Sequence, residues 1–211
     1  MSMSRKNKAI IWLLIFILLI VLFTSIATYA YFQARELKQG SFNVDVTSKG
    51  VDTLKFKASD DAVFEANANN FSRGKGHDVY GEAFVSTILD TTKASAEYCY
   101  NVSVILPDEA VFTYSKPGTP ELVLDVAKST DNENYTNVIS NMDITTKTGV
   151  INIPTTTGGS DYKHVISTTK NVTSSVYWKA KVTLKWFNDT DQVINDYKAY
   201  KATIKANIVE C

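Results

Sequence analysis

His77 and His164 are the only imidazoles in the chain, and Cys99 and Cys211 its only thiols. A histidine metal site needs a second ligand at a set spacing, such as an H-E-x-x-H run or a histidine four residues on. Neither histidine has one. His77 lies in the glycine-flanked stretch RGKGH and His164 follows a Thr/Gly stretch, so both are expected as solvated loop residues. A nucleophile needs a base in reach. No G-x-S-x-G occurs, Cys99 falls in a strand-like run, and Cys211 is the final residue of the sequence. A phosphate loop requires a strand before it and a helix after it, and Gly74-x-Gly76 lacks the helix. It reads as a turn. Acids cluster at Asp60-Asp61, at Asp131 and Glu133, and at Asp189, Asp191 and Asp196. Calcium uses such carboxylates, but the last set lacks the glycine and terminal Glu of an EF-hand loop. Aspartate is also a preferred turn residue. No catalytic residue, metal or cofactor is expected, and no enzymatic activity.

The elements that would hold any site divide the chain sharply. Residues 9–32 carry no charge, and Ala9–Phe23 are all apolar. About 20 helical residues cross a bilayer core, so this stretch predicts one hydrophobic helix. Arg5, Lys6 and Lys8 precede it and no acid does. That asymmetry keeps the N-terminus in the cytoplasm and exports the C-terminal part. Two readings of residues 1–32 stand: an uncleaved membrane anchor, or a signal peptide cut after Ala30 in Thr28-Tyr29-Ala30. The first gives a single-pass membrane protein with an extracellular C-terminal domain, the second a secreted one. Residues 33–40 read as a short polar stalk. Beyond residue 30 there are 19 bases against 22 acids. This excludes a basic nucleic-acid binder, and no nucleic-acid partner is expected.

From Ser41 the dominant period is two. Phe42, Val44 and Val46 alternate with polar residues, as do Leu54, Phe56 and Ala58. Tyr98, Tyr100, Val102, Val104 and Leu106 share one face, and Leu122, Leu124 and Val126 another. The run WKAKVTLKW puts Trp178, Ala180, Val182, Leu184 and Trp186 opposite Lys179, Lys181, Thr183 and Lys185. Tyr200, Ala202, Ile204, Ala206 and Ile208 repeat the pattern. Strict alternation marks half-buried antiparallel strands. A further strand is expected at Val150–Ile153, and residues 58–71 read as a short helix. With turn formers between the runs, residues 41–211 predict an all-β domain. It is an antiparallel β-sandwich, jelly-roll or immunoglobulin-like, without the cysteine and tryptophan hallmarks of true immunoglobulin domains. On strand parity Cys99 faces away from Tyr98 and Tyr100, and Cys211 shares the parity of Lys201 and Lys205. A disulfide between them is geometrically open, with two free thiols as the alternative.

The run ATYAYF at 27–32, a charged link, and then GSFNVDV at 40–46 resembles exported TasA/camelysin-like surface proteins of Gram-positive bacteria. The stretches AEYCYNVSVIL, FTYSKPGTPELVLDV and YWKAKVTLKWFNDTDQ resemble still more closely uncharacterised surface proteins of gut Firmicutes. The resemblance implies a jelly-roll sandwich that polymerises by strand donation, with Phe42, Val44 and Val46 as the assembly strand. Metalloprotease activity, attributed to camelysins, is not carried over, because no zinc-ligand pattern is present. The leading expectation is a non-enzymatic cell-surface or matrix structural protein that touches the membrane through residues 9–32 and self-associates. The alternative is a tethered extracellular binding module, for carbohydrate for example. Trp186, Phe187, Tyr197 or Tyr177 would then form its aromatic platform. The ligand itself is left open.

Overall fold

The computed structural model describes residues 43–47, 53–59, 61–71, 75–91 and 95–211, and for 43–47 and Thr53 the backbone alone. The leader 1–32, the stalk 33–40, Phe42, the turn at 48–50 and Gly74 lie outside the described residues. So do the side chains of Val44 and Val46.

Eleven strands occur among the described residues. They are β1 (Asn43–Thr47), β2 (Thr53–Ala58), β3 (Ala62–Glu65), β4 (Val79–Asp90), β5 (Ala96–Ile105) and β6 (Leu122–Ser129). They continue with β7 (Thr136–Asp143), β8 (Val150–Asn152), β9 (His164–Thr168), β10 (Thr173–Leu184) and β11 (Ala199–Val209). Six form an antiparallel sheet in the order β1-β2-β4-β10-β6-β7. The second sheet runs β3-β11-β5-β8, with β9 also paired to β5. The pairs β6/β7, β5/β8, β4/β10 and β3/β11 are nested in sequence, as in one long hairpin rolled upon itself. The protein is an all-β sandwich of two antiparallel sheets.

Alternation explains how the sheets meet. Trp178, Ala180, Val182 and Leu184 of β10 are buried, and so are Leu122, Leu124 and Val126 of β6. Tyr100, Val102 and Val104 of β5 and Tyr200, Ala202 and Ile204 of β11 face them from the other sheet within one core. Phe56 lies 6.3 Å from Tyr100 between ring centroids. Burying such side chains contributes roughly 1.5–3 kcal/mol each, which makes the shared core the main source of stability. Beneath β4 and β3 the backbones come very close. A Cβ at Gly81 would stand 2.7 Å from the Val63 nitrogen, so only glycine fits there.

Three expectations are corrected. Residues 58–71 are not helical: Ala62 and Phe64 are buried while Val63 and Glu65 are exposed. That period-two pattern lets β3 pair with β11. Trp186 does not extend the buried face of β10, which ends at Leu184. Its backbone N–H instead donates to Asp78 Oδ1 at 2.9 Å. A Cβ at Gly76 would overlap the Trp186 indole, so this turn is glycine for steric reasons. Finally, His164 is no solvated loop residue. It begins β9 and is buried.

Lys181 is expected to be solvated, yet it is only half-buried and well engaged. Its register neighbours are Glu82 and Asp125, and its Nζ sits 4.0 Å from the Tyr80 ring centroid. Val182, by contrast, is completely buried. A carboxylate at 182 has no partner and should destabilise the fold by several kcal/mol. Lys181→Gln removes a partly exposed cation–π contact and should cost under about 1 kcal/mol. Lys181→Asp creates a row of three acids and should cost more than Lys181→Gln. Urea midpoints of Val182→Asp, Lys181→Gln and Lys181→Asp give the ranking, and equal midpoints would overturn the assignment of faces.

Candidate functional site

The outer face of the six-stranded sheet is organised in rows. Register alignment places Lys57, Ser86, Tyr177 and Ser129 side by side across four strands. Phe84, Lys179 and Ala127 form the next row, and Glu82, Lys181 and Asp125 the one after. The face therefore carries aromatic and charged groups, while Ala127 and Ser129 in its rows are buried. Tyr80 is 55% exposed. Lys179 Nζ stands 4.8 Å from the Tyr135 ring centroid. Such cation–π contacts at a surface are worth about 0.5–1 kcal/mol and hold both partners in place.

Where the first two rows meet the 129–135 loop, a groove of about 330 Å³ opens. Phe84, Tyr135 and Tyr177 supply its aromatic walls, and Lys57, Ser86 and Asn132 its polar ones. The loop is held by one carboxylate. Asp131 Oδ1 accepts from Ser129 Oγ at 2.6 Å and from the backbone N–H groups of Glu133 and Asn134 at 2.9 and 2.8 Å. Its Oδ2 accepts from Asn134 Nδ2 at 2.7 Å. These donors, led by Ser129, hold the Asp131 carboxyl well below the usual carboxylate range. Asn132 adopts φ 64°, a left-handed conformation that asparagine tolerates, and its Oδ1 accepts from Tyr135 Oη at 2.7 Å. Burial, with the nearby Tyr177 phenol, raises the pKa of Tyr135, so its hydroxyl stays neutral and can donate. The groove is thus preformed: three rings and several neutral donors and acceptors, fixed by a short loop.

Of the aromatics singled out from sequence, Tyr177 lies in this groove. Tyr197 is 73% exposed but sits after the short 3-10 turn Val193–Asn195. Trp186 is committed to Gly76 and Asp78. Tyr135 and Phe84 were not singled out. Each belongs to a segment without clean alternation, and their meeting depends on register.

Cys99 and Cys211 are joined in a disulfide, with Cα atoms 5.2 Å apart and a sequence separation of 112. A loop of that size contributes about 4–5 kcal/mol in the chain-entropy account. β1 pairs with β2 of its own chain, Val44 opposite Phe56 and Val46 opposite Leu54, and forms an edge of the six-stranded sheet. Asp189 pairs with Lys116 at 3.3 Å. Asp191 and Asp196 accept backbone N–H groups of Val193 and Tyr197. These acids shape turns, and among the described residues no group of three or more His, Cys, Asp or Glu could hold a metal.

No protein-family model matches the chain, and no curated protein matches it. Solved structures match it loosely. That of the infectious bursal disease virus Gx strain aligns with a TM-score of 0.34 at 15% identity, over 76% of this chain and 32% of that one. The chain thus spans about a third of the length of that viral chain. CpGH89CBM32-6 produced by Clostridium perfringens aligns with a TM-score of 0.26 at 10% identity, over 82% of this chain and 97% of the other. TmCBM61 in complex with beta-1,4-galactotriose gives 0.20 at 9% identity, over 82% and 90%. Likenesses this slight carry no functional argument.

His164 lies between the sheets. Its Nε2 stands 3.0 Å from the Ile153 carbonyl oxygen, which can only accept, so Nε2 carries the proton. Burial pushes its pKa below the ordinary 6.5, and the Lys128 charge adds to this. The unfolded chain then binds a proton more readily than the folded one. Stability should be full above about pH 6.5 and fall as pH drops below it. The urea midpoint followed from pH 8 to 5 should show this decline, and His164→Gln should make it shallower. An unchanged slope in the variant would show that His164 is not the group responsible.

Proposed function

We propose that the chain is a non-catalytic binding module displayed outside the cell, and that its groove at Phe84, Tyr135 and Tyr177 takes a carbohydrate ring. In this reading residues 9–32 either tether the module to the membrane or are removed on export. The nested strand pairing favours a jelly roll over an immunoglobulin-like sandwich, consistent with the resemblance to TasA/camelysin-like surface proteins.

One observation carries the proposal: three half-exposed rings line a groove whose polar lining includes Lys57, Ser86 and Asn132. A pyranose presents an apolar C–H face and a rim of hydroxyls. Tyrosine combines an apolar face with a polar tip, and a small number of placed polar groups fixes a ligand's orientation. A groove of about 330 Å³ has the volume of a small-ligand site. The rigid Asp131 loop reduces the ordering cost of binding.

A glycan array, followed by calorimetry on whatever binds, tests the reading. Tyr177→Ala and Tyr135→Ala should each weaken the best ligand at least tenfold while leaving the urea midpoint within about 1 kcal/mol of wild type. Absence of any bound glycan, or wild-type affinity in both variants, would overturn it.

A second reading, self-association, rests on β1. It is a five-residue strand at the edge of a six-stranded sheet. An edge strand offers unpaired backbone groups, and main-chain pairing is indifferent to which chain supplies the partner. If β1 exchanges between chains, a protein beginning at Ser48 stays monomeric in sedimentation at every concentration, is less stable than one beginning at Tyr31, and regains stability with a peptide of residues 41–47. A shortened protein of undiminished stability, unmoved by the peptide, would reduce this segment to a linker.

A further inference from the structure

The 129–136 loop walls a second cleft, of about 470 Å³, at the end of the space between the sheets. Tyr100, His164 and Trp178 form its floor, and Lys128, Asn134 and Thr136 contribute to its walls. Lys128 is the unusual member. It is the register partner of Trp178, so it occupies a core-facing position at the end of β6. There it is only half-exposed. A charge drawn from water needs compensation.

What the protein supplies is small. Lys128 Nζ donates to the Thr155 carbonyl oxygen at 3.2 Å. An ammonium has three donors. Among the described residues the ion pairs are Lys116–Asp189, Lys185–Asp78 and Lys201–Asp61, and none includes Lys128. No acid of the neighbouring loops forms an ion pair with Lys128 among the described residues. Asp131 is spent on Ser129, Glu133 and Asn134, and Asp161 Oδ1 accepts the Lys163 backbone N–H at 3.0 Å. Lys163, at the rim, donates from Nζ to the Cys211 oxygen at 3.1 Å. His164 is held neutral by burial and donates to Ile153, so it neither neutralises nor competes with the lysine.

We propose that this cleft is an oxyanion site for an acidic sugar. The carboxylate of a uronic acid, or the phosphate of a sugar phosphate, would rest on Lys128. The ring hydroxyls would meet Asn134, Thr130 and Thr136, which offer both donors and acceptors. A compact ammonium binds either oxyanion as a point charge, without the bidentate geometry that arginine imposes. Val165 and Val176, which also line the cleft and are accessible, offer apolar surface to the body of the ring. This site does not rest on the aromatic groove, and its occupant differs from the groove's in carrying charge.

The full-length protein in detergent, titrated with glucuronate, glucose 6-phosphate and glucose, tests the proposal through the amide resonances of His164, Val165 and Val176. At least one of the two acids should shift these resonances saturably, and which one does so separates carboxylate from phosphate. Glucose should bind at least tenfold more weakly. Lys128→Gln should lose at least tenfold in affinity for the acid, Lys128→Arg should retain most of it, and Tyr177→Ala should leave it unchanged. The proposal is overturned if neither acid saturates, if glucose binds as tightly, or if Lys128→Gln binds like wild type. An equal loss in Tyr177→Ala would place the acid in the aromatic groove and overturn it as well.

Discussion

Trp178, Tyr100 and His164 clasp the two sheets together. The indole belongs to β10 in one sheet, while the phenol and imidazole belong to β5 and β9 in the other. Trp178 and His164 meet edge to face at 4.6 Å, and Tyr100 and His164 at 5.4 Å. The indole N–H donates to the Tyr100 hydroxyl at 3.4 Å. A polar atom buried in such a cluster is costly unless it finds a partner, and this bond supplies one to both groups. β9 is held to the core through this cluster as well as through its pairing with β5. The same three rings set the depth of the inter-sheet cleft, so packing and candidate recognition share one set of side chains.

The 129–136 loop does for the surface what that clasp does for the interior. A single carboxylate, Asp131, gathers donors from Ser129, Glu133 and Asn134 and leaves the chain little freedom. Asn132 and Tyr135 then line one depression while Asn134 and Thr136 line another. Two lysines of the outer face are likewise held in place. Lys179 and Lys181 lie against tyrosine rings, and the row Glu82, Lys181, Asp125 alternates in sign. Rigid display of aromatic and polar groups costs less on ligand binding than ordering flexible ones.

Legibility in the sequence followed the cleanness of the alternation. β10 was readable because its outward positions include Lys179 and Lys181, so the two faces differ in polarity. β4 was not, although Gly81, Ala83, Val85, Thr87 and Leu89 are all buried. Its outward positions include Phe84 and Ile88, and two apolar faces erase a period of two. β3 is too short to show its period against an Asp- and Asn-rich background. His164 looked solvated because it follows a Thr/Gly stretch, and its burial comes from pairing with Tyr100, a partner 64 positions earlier. The groove illustrates the same limit. Tyr177 was visible as an aromatic on a strand, but Phe84 and Tyr135 join it only through register, a non-local property. Lys128 lies at the core-facing parity of β6, yet the pattern read from sequence stopped at Val126.

The bond between Cys99 and Cys211 turns residues 99–211 into a covalent ring that contains most of β5 and all of β6 to β11. The exposed turns at 155–162 and 188–191 are links within that ring and not free tethers. A protease that cuts either turn once opens the ring into a branched chain but releases no fragment. The cut ends stay attached to strands whose pairing β4 and β5 maintain. A single cut separates covalently joined pieces only on the N-terminal side of Cys99. The place where one cut divides the chain is thereby confined to the stretch that precedes Cys99.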